Sequence, residues 1–423
     1  MERYSEYRDS SVQWIGKIPN HWVLRRIKYI FSELKEKSEN GSETPLSLSK
    51  DGGIIPFNEK KNKTMESASY VGGKIVHKGE IVFNRFKARL FAVSGYDGIV
   101  SSDYAVYECN KIASPKYMVK LFGTDMYRDA FNRKASGIGD GFSRLYTDDL
   151  FAMYSIFPPI HEQEKIISYL ESKTSKIDAY VADKEKEIQL LQELKQKTIA
   201  DAVTKGLNPD AKMKDSGIAW IGEIPEHWEV CRMKRVFSEA KEKTISEEGT
   251  LLSLSQYTGI TLKDDAKKVG MFEAESTIGY NVVHPGQFVM NIMLAWNGSY
   301  AVSDYEGIIS PSYCVFNFNE DCEKKYFHYL LRLPAYAGAF KTMSKGIIES
   351  RLRLYPIYFL AFKTIIPPQN EQQAIVAYIE EKCQKIDTLI TELQAEIDYL
   401  KEYKQRLIAD VVTGQVNVQN EMI

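Results

Sequence analysis

Two matched stretches of the chain carry side chains that could bind an anionic, hydrogen-bonding ligand. The first, Asn84-Arg85-Phe86-Lys87-Ala88-Arg89, places polar and cationic residues around an aromatic residue at the end of a predicted strand. Its counterpart at 291–297, NIMLAWN, is far less basic. Arginine can bridge guanine, asparagine can bridge adenine, and lysine or arginine can hold phosphates. Such divergence at matched positions suits two domains that read different DNA sequences.

Further polar, cationic and aromatic residues extend this prediction of DNA contacts. In the first half the predicted DNA-binding residues are Lys61, Lys63, Asn84, Arg85, Lys87, Arg89, Ser143 and Arg144, with Lys60, Arg133 and Lys134 as additional candidates. In the second half they are Lys267, Lys268, Asn291, Trp296, Asn297, Tyr300, Lys345, Arg351 and Arg353, with Lys341 as an additional candidate. A chain of mixed charge also scatters such residues without function, and this alternative stays open for each of them.

Signatures of nucleotide and methyl-transfer chemistry are missing. No GxxxxGK followed by Ser or Thr exists to bind ATP phosphates. The Pro158-Pro159 and Pro367-Pro368 pairs lack the preceding Asn or Asp and the following aromatic that an amino-methyltransferase needs for its target base. We therefore predict no catalytic residue of these classes in the chain.

Nuclease and metal chemistry are equally poorly supported. Pro209-Asp210 with Glu239-Ala240-Lys241 imitates a Mg²⁺ nuclease set, but the repeat partner Glu33-Leu34-Lys35 has no Pro-Asp upstream. His77 and His284 lack the spacing of metal ligands, so we interpret them as structural histidines and predict no metal site.

The elements that position these residues are encoded twice. Residues 9–37 align with 215–243 with 17 of 29 positions identical, and the shared pattern includes WIG, IP and HW. A repeat of this length is a domain plus an extension, because solenoid repeats run only about 20–50 residues. Within each copy, turn signals and short alternating runs predict a mixed α and β globular domain.

A long helix follows the Pro-Pro pair of each copy. Residues 162–204 and 371–413 contain neither Pro nor Gly and carry apolar residues in a heptad pattern, more weakly in the first copy, where Lys184 and Lys195 interrupt it. The predicted seam consists of Leu170, Ile177, Val181, Ile188, Leu191, Ile379, Ile386, Ile390, Leu393, Ile397, Leu400 and Leu407. We expect the two helices to pair antiparallel and the chain termini to lie close together; docking of each helix on its own domain is the alternative.

The overall composition fits a cytoplasmic protein. The net charge of the 423 residues is -2, which excludes a uniformly basic nucleic-acid coat but leaves room for local basic patches. Five cysteines without a CxxC pair indicate reduced thiols rather than a disulfide framework. The sequence has no secretory signal and no apolar run long enough for a membrane span, so we expect no membrane association.

Three ordered motifs resemble the specificity subunit of type I restriction-modification systems. The motifs are WIGxIPxxW, then the GIVS or GIIS segment at 98–101 and 307–310, and then PPxxEQ at 158–163 and 367–372. In each copy the long helix follows the PPxxEQ motif. The resemblance spans nearly the whole chain in both halves. It implies a mixed α/β fold with two pseudo-twofold-related target-recognition domains separated by two long antiparallel coiled-coil helices.

The resemblance implies a non-catalytic reader of double-stranded DNA. Its domains would be a first target-recognition domain at 1–161, a first spacer helix at 162–204, a second target-recognition domain at 205–369, a second spacer helix at 370–414 and a tail at 415–423. Each domain would read half of a bipartite site, and the helices would fix the unspecified spacer, at most about 19 base pairs for a helix of about 64 Å.

The same resemblance implies partners that supply the catalysis. Two modification subunits would be adenine methyltransferases that use S-adenosylmethionine, and two restriction subunits would be ATP-dependent, Mg²⁺-requiring translocases and nucleases. This chain itself would need no cofactor. A standalone two-headed DNA-binding or scaffold protein without a methyltransferase partner is the main alternative.

Overall fold

The computed structural model describes residues 2–49, 53–60, 69–86, 90–137, 143–256, 258–263, 276–319, 321–346 and 352–421. Its contacts divide the chain into two compact units: unit 1 holds residues 1–185 and 394–423, and unit 2 holds residues 186–393. The division falls inside the two long helices, so each unit contains one globular domain and half of each helix. Among the described residues, no helix is both long and apolar enough to cross a membrane.

The globular domain of unit 1 is built on a four-stranded antiparallel sheet of order β4-β11-β8-β9. Its strands are β1 (Tyr7–Asp9), β2 (Lys17–Pro19), β3 (Val23–Arg26), β4 (Phe31–Leu34), β5 (Leu46–Ser49), β6 (Gly53–Pro56), β7 (Lys74–Val76), β8 (Ile81–Asn84), β9 (Phe91–Val93), β10 (Gly98–Val100), β11 (Tyr104–Cys109) and β12 (Tyr154–Phe157). Its helices are α1 (Pro115–Phe122), α2 (Asp125–Lys134) and α3 (Thr147–Ala152), and the long helix α4 (Ile160–Lys205) follows.

The globular domain of unit 2 repeats this plan, with the sheet order β16-β23-β20-β21. Its strands are β13 (Met213–Asp215), β14 (Glu223–Pro225), β15 (Glu229–Arg232), β16 (Phe237–Ala240), β17 (Leu252–Ser255), β18 (Gly259–Leu262), β19 (Asn281–Val283), β20 (Phe288–Asn291), β21 (Tyr300–Val302), β22 (Gly307–Ile309), β23 (Tyr313–Phe318) and β24 (Lys363–Ile366). Its helices are α5 (Lys324–Leu331), α6 (Pro334–Met343) and α7 (Pro356–Ala361), and the long helix α8 (Gln369–Val412) follows.

Each main sheet is buried on both faces. In unit 1, Ile81 and Phe83 of β8 enter the large core beneath the helices, whereas Val82 enters a smaller core with β5 and β6. This alternation follows from the two-residue period of a strand. The end of β8 therefore lies between two packed layers.

Helices α4 and α8 run antiparallel in each unit. In unit 1, Lys404 of α8 donates to Asp178 Oδ2 of α4 at 2.6 Å, and Lys184 lies 3.8 Å from Glu396. In unit 2, Lys195 of α4 contacts both carboxylate oxygens of Asp387 at 2.7 Å. The lysines that interrupt the apolar seam thus meet acidic residues of the opposite helix. The predicted mixed α/β class and the antiparallel long helices are confirmed.

The predicted seam residues are all buried or half-buried. Leu170, Val181, Ile379, Ile386, Ile397 and Leu407 are buried, and Ile177, Ile188, Leu191, Ile390, Leu393 and Leu400 are half-buried. The ends of both helices also enter the globular cores. Val412 O of α8 accepts a hydrogen bond from the Tyr117 hydroxyl in unit 1, and Val203 O of α4 accepts one from Tyr326 in unit 2, both at 2.8 Å.

The repeated sequence motifs anchor the start of each long helix. Glu162, at the start of α4, accepts hydrogen bonds from Trp22 Nε1 at 3.1 Å and from the Tyr4 hydroxyl, and lies 2.8 Å from His21 Nε2. In unit 2, Glu371 accepts from Trp228 Nε1 at 2.9 Å. In each copy the glutamate of the PPxxEQ motif therefore contacts the His-Trp pair, which gives these parts of the repeated motifs a structural role.

The segments near the two ends of the chain meet in unit 1. The Asn417 amide donates to Glu2 O at 2.9 Å, and Val418 is fully buried in the unit 1 core. The Tyr7 hydroxyl donates to Gly414 O at 2.9 Å. The predicted proximity of the termini is confirmed.

Candidate nucleic-acid interface

The strand-end turns that carry the predicted site have the same geometry in both units. Asn84 Oδ1 accepts from the Phe86 amide at 2.9 Å, and Asn291 Oδ1 accepts from the Met293 amide at 2.9 Å. Asparagine is favoured here because its side chain can replace a backbone acceptor in a turn. Each asparagine therefore shapes the turn that presents the residues after it.

Two predicted contact residues of unit 2 belong to the core. Asn291 is 4% exposed and Tyr300 is 1% exposed. The Tyr300 hydroxyl donates to Leu331 O at 2.5 Å, and burial raises the pKa of this phenol well above its ordinary value. The predicted DNA contacts of Asn291 and Tyr300 are therefore corrected to packing roles, because neither side chain reaches the surface.

Arg85 is engaged inside unit 1. Its Nη2 donates to Glu33 Oε1 at 2.8 Å and to the Thr147 hydroxyl at 3.1 Å, and Lys74 Nζ donates to the same Glu33 oxygen at 2.9 Å. The side chains of Arg85 and Glu33 are only 19% and 16% exposed. Arg85 thus fixes the strand-end turn, and its guanidinium is mostly withdrawn from solvent.

The pKa of Glu33 depends on the opposing effects of burial and of the neighbouring hydrogen bonds and cations. Burial alone would raise the pKa, but hydrogen bonds from Lys74 and Thr147 and the charges of Lys74 and Arg85 outweigh it. The pKa of Glu33 is consequently lowered from its ordinary value. The carboxylate is therefore held in its charged form by two cations.

A pair of bridged residues, which we call the closed loop of each unit, lies beside each strand-end turn. Ser136 and Arg144 exchange backbone hydrogen bonds of 3.0 and 2.8 Å, and Lys345 and Arg353 exchange two of 2.9 Å. The next residue joins the loop to the turn, since the Leu145 amide donates to Arg85 O at 3.1 Å. In unit 2 the Leu354 amide donates to Ile292 O at 2.9 Å. The structure thus brings together sequence positions about 60 residues apart, including Arg85 and Arg144.

Cations stack on aromatic rings at these loops. In unit 1 the Arg144 guanidinium lies 4.4 Å from the centre of the Phe86 ring. In unit 2 the Lys341 ammonium lies 5.4 Å from the Trp296 ring and the Lys345 ammonium 5.2 Å from the Tyr358 ring. Cations and aromatic faces are the groups that hold phosphates and stack on bases. The geometry is suited to nucleic-acid binding in both units, with different residues in each.

The other predicted contacts fall into four groups. Asn297 lies in the turn after β20, where its Oδ1 accepts from the Ser299 hydroxyl at 3.0 Å. Ser143 is half-buried beside Arg144, and Arg133 and Lys134 are exposed at the end of α2, next to the loop of unit 1, whereas Lys60 lies apart, near Phe57. The predicted contacts outside the described residues are Lys61, Lys63, Lys87, Arg89, Lys267, Lys268 and Arg351.

Sequence reasoning missed two exposed tyrosines. Tyr146 and Tyr355 directly follow the closed loops and are 46% and 47% exposed. They occupy matched positions of the repeat, and each precedes a short helix, α3 or α7. An aromatic residue beside a basic loop in both copies was the signal available for finding them.

The described residues contain no group of three or more His, Cys, Asp and Glu side chains arranged to hold a metal ion. His77 lies 3.4 Å from Glu36 and 3.6 Å from Asp97, and the hydrogen bond with Glu36 raises the pKa of the imidazole. His284 lies 2.9 Å from Glu242. These histidines form exposed contacts with carboxylates at matched positions.

Comparison with known proteins gives one consistent family. No protein-family model matches the chain. A curated relative from Methanocaldococcus jannaschii, the type I restriction enzyme MjaVIII specificity subunit, is 25% identical over 350 residues, which cover 77% of this chain and 76% of the relative.

Two solved structures share the fold over almost the whole chain. One solved structure, described as the structural basis underlying complex assembly and conformational transition of the type I R-M system, matches with a TM-score of 0.66 at 16% identity. The match covers 94% of this chain and 99% of that chain. The HsdS subunit of Thermoanaerobacter tengcongensis has a TM-score of 0.54 at 15% identity and covers 94% and 98%. The chain is thus similar in sequence to a type I restriction enzyme specificity subunit and similar in fold to the HsdS subunit.

Proposed function

We propose that this chain is the DNA-recognition subunit of a type I restriction-modification complex. Each unit reads one half of a bipartite site through its closed loop and strand-end turn. The observation that carries the proposal is one scaffold used twice, with a different cation–aromatic pair near the strand-end turn of each copy: Arg144 on Phe86 in unit 1, and Lys341 on Trp296 in unit 2. Reading two different half-sites requires such a combination.

The chain itself performs recognition, and its partners perform catalysis. Methyl transfer from S-adenosylmethionine belongs to two modification subunits, and ATP-driven translocation and Mg²⁺-dependent cleavage belong to two restriction subunits. The missing nucleotide and methyl-transfer motifs support this division of labour. The domain boundaries expected from the sequence, at 161, 204, 369 and 414, describe the functional segments.

Exposed apolar residues on the long helices support docking of the modification subunits. In unit 1, Tyr180, Tyr399 and Tyr403 are 45%, 67% and 38% exposed. In unit 2 the repeat-matched residues Leu389, Leu190 and Leu194 are 47%, 56% and 51% exposed. Apolar side chains at exposed helix positions in both copies favour two equivalent contacts with partner helices.

The long helices set the unspecified spacer. They contain 46 and 44 residues, hence about 66–69 Å at 1.5 Å per residue. Inserting about four residues after Val181 and after Ile390 is expected to lengthen the spacer and to leave both half-sites unchanged. An altered half-site with an unchanged spacer would contradict this role.

Selection from a randomised duplex library tests the proposal. The chain, assembled with its modification subunits, is expected to enrich two short motifs separated by a fixed unspecified gap. Arg144→Ala is expected to relax only one motif, and Lys341→Ala with Lys345→Ala only the other. Enrichment of a single undivided motif would contradict bipartite reading, and specific DNA binding by a chain that assembles with no methyltransferase would favour the standalone alternative.

A further inference from the structure

A cluster of exposed cations and tyrosines lies on β3 of unit 1, the turn after it and the paired strand β12, away from the strand-end turn. The Arg26 guanidinium lies 5.3 Å from the centre of the Tyr154 ring across the β3–β12 pair. The Lys28 ammonium lies 4.9 Å from the Tyr29 ring. Tyr29 is 61% exposed, and Arg25 beside Arg26 is exposed as well.

Unit 2 carries a cationic cluster at the matched place. Arg232 of β15 faces Lys363 of β24 in the strand register, and Lys234 and Arg235 follow in the next turn. All four side chains are exposed. Like charges that face each other across two strands destabilise the pair. Because the cross-strand pair Arg232–Lys363 costs stability, we expect its positive charge to serve in binding an anion.

These cations lack internal counter-charges in the part of the chain that the structure describes. None of Arg25, Arg26, Lys28, Arg232, Lys234, Arg235 and Lys363 forms an ion pair within 4.0 Å there. The cations of the helix pair behave differently, since Lys195, Lys401 and Lys404 each meet a carboxylate within 3.1 Å. The β3 and β15 clusters therefore hold positive charge that a ligand can neutralise.

We propose that two basic strips, Arg25, Arg26 and Lys28 in unit 1 and Arg232, Lys234, Arg235 and Lys363 in unit 2, bind phosphates of the DNA backbone irrespective of sequence. This inference rests on the proposed DNA-reading function and adds a second kind of contact to it. Backbone contacts position a protein on DNA, whereas base contacts specify the sequence.

The placement of the strips favours DNA over an acidic protein partner. In unit 1, the chain passes from Arg144 through the short helix α3 directly into Tyr154, which stacks with Arg26. The six residues of α3 span about 9 Å, so only a short segment of chain separates the closed loop from the strip. The strips are basic in both units, which suits a contact that does not depend on base sequence.

Salt dependence of DNA binding tests the strips. In the complex with modification subunits, Arg26→Gln with Lys28→Gln, and separately Arg232→Gln with Lys363→Gln, are compared with wild type by fluorescence anisotropy. Because each phosphate contact contributes about 0.9 to the slope of log K against log salt, each double variant is expected to lower the slope by about 1.8. Affinity should fall by the same factor on cognate and scrambled duplexes.

Two further variants separate the strip from charge in general and from folding. Lys176→Gln with Lys186→Gln removes two exposed charges from α4 and is expected to leave the slope unchanged. Lys28→Arg and Lys234→Arg keep the charge and should keep the wild-type slope. The proposal that the strips bind phosphates is overturned if the Gln variants keep the wild-type slope of log K against log salt. It is also overturned if they lose a protein partner while DNA binding stays intact. If the wild-type complex does not discriminate cognate from scrambled DNA, the proposed DNA-reading function is wrong. The salt slopes of the variants still test phosphate binding by the strips in that case.

Discussion

In unit 1 the tip of the main sheet carries an ionic cluster, whereas neutral residues replace its two cations at the matched positions of unit 2. Arg85 and Lys74 share Glu33 in unit 1. The repeat partners of those two cations are Ile292 and Asn281, and Asn281 donates instead to Tyr313 O at 2.9 Å. A mostly withdrawn arginine in one unit and an isoleucine in the other can hold the same turn in place.

Residues that are identical in the two units do a different job. Gln163 and Gln372 each donate to the carbonyl of a Pro-Pro pair at 2.8 Å and accept from the chain before α1 or α5 at 2.8 Å. These contacts fix the entry of each long helix into its globular domain. The comparison therefore teaches that identity between the copies marks the support, and divergence marks the surface that the support presents.

The largest expected effect comes from removing the anchoring tryptophans, which the two units share. Trp22→Ala and Trp228→Ala are each expected to lower the free energy of unfolding by about 3–5 kcal/mol, because both side chains are buried. Urea unfolding followed by circular dichroism measures this. A loss of under about 1 kcal/mol for one of the two variants would contradict an equivalent anchoring role for Trp22 and Trp228.

The next effect should differ between the units. The Glu162 side chain is 3% exposed and satisfies donors from Tyr4, His21 and Trp22, whereas the Glu371 side chain is 34% exposed. Glu162→Ala is therefore expected to cost about 3 kcal/mol and Glu371→Ala about 1 kcal/mol of unfolding free energy. The same urea titration compares them, and equal costs would show that solvent access does not matter here.

Acid sensitivity should reside in unit 1. Because the pKa of Glu33 is lowered in the folded chain, its stabilisation is complete above the ordinary carboxyl pKa of about 4.3 and disappears as the pH falls through the folded value. Glu33→Gln is expected to cost about 1.5 kcal/mol at pH 7 and to flatten the fall in stability below about pH 5. The control is Glu239→Gln at the matched, exposed position, and an identical pH profile for both variants would contradict the cluster.

The smallest effect concerns the matched seam pairs, Lys404 with Asp178 and Lys195 with Asp387. Because the acidic partners are 59% and 55% exposed, each pair should contribute only about 0.5 kcal/mol of coupling. Double-mutant cycles with Lys→Met and Asp→Asn measure it, and Lys176→Met serves as the uncoupled control. Coupling above about 2 kcal/mol would mean that these pairs do more than specify the register.

The sequence predicted the repeat, the mixed fold and the long helices because periodicity is a local property. Lys184 and Lys195 weakened the heptad pattern, and only the opposite helix shows that Glu396 and Asp387 neutralise them. The withdrawal of Arg85 depends on Glu33, 52 residues away in the chain. Such long-range pairing cannot be derived from local residue types.

Burial of polar residues was also beyond local reasoning. Tyr300 was predicted to contact DNA because its residue type suits binding, but its ring packs against Phe288 and Phe340 in the core. Arg26 lies at the end of β3 and Lys28 in the turn that follows it, and neither carries a local sequence signal for ligand binding. In both cases tertiary packing, rather than residue type, decides which side chains reach a ligand.

The most direct test is to sequence modified bases in DNA from cells that contain this chain and its modification subunits. The account predicts methylated adenines in a motif of two specified halves around a fixed unspecified spacer. Phe86→Ala with Arg144→Ala should change one half and leave the other half and the spacer intact. Methylation at an undivided motif, or a change in both halves from this unit 1 variant, would contradict recognition by two independent units.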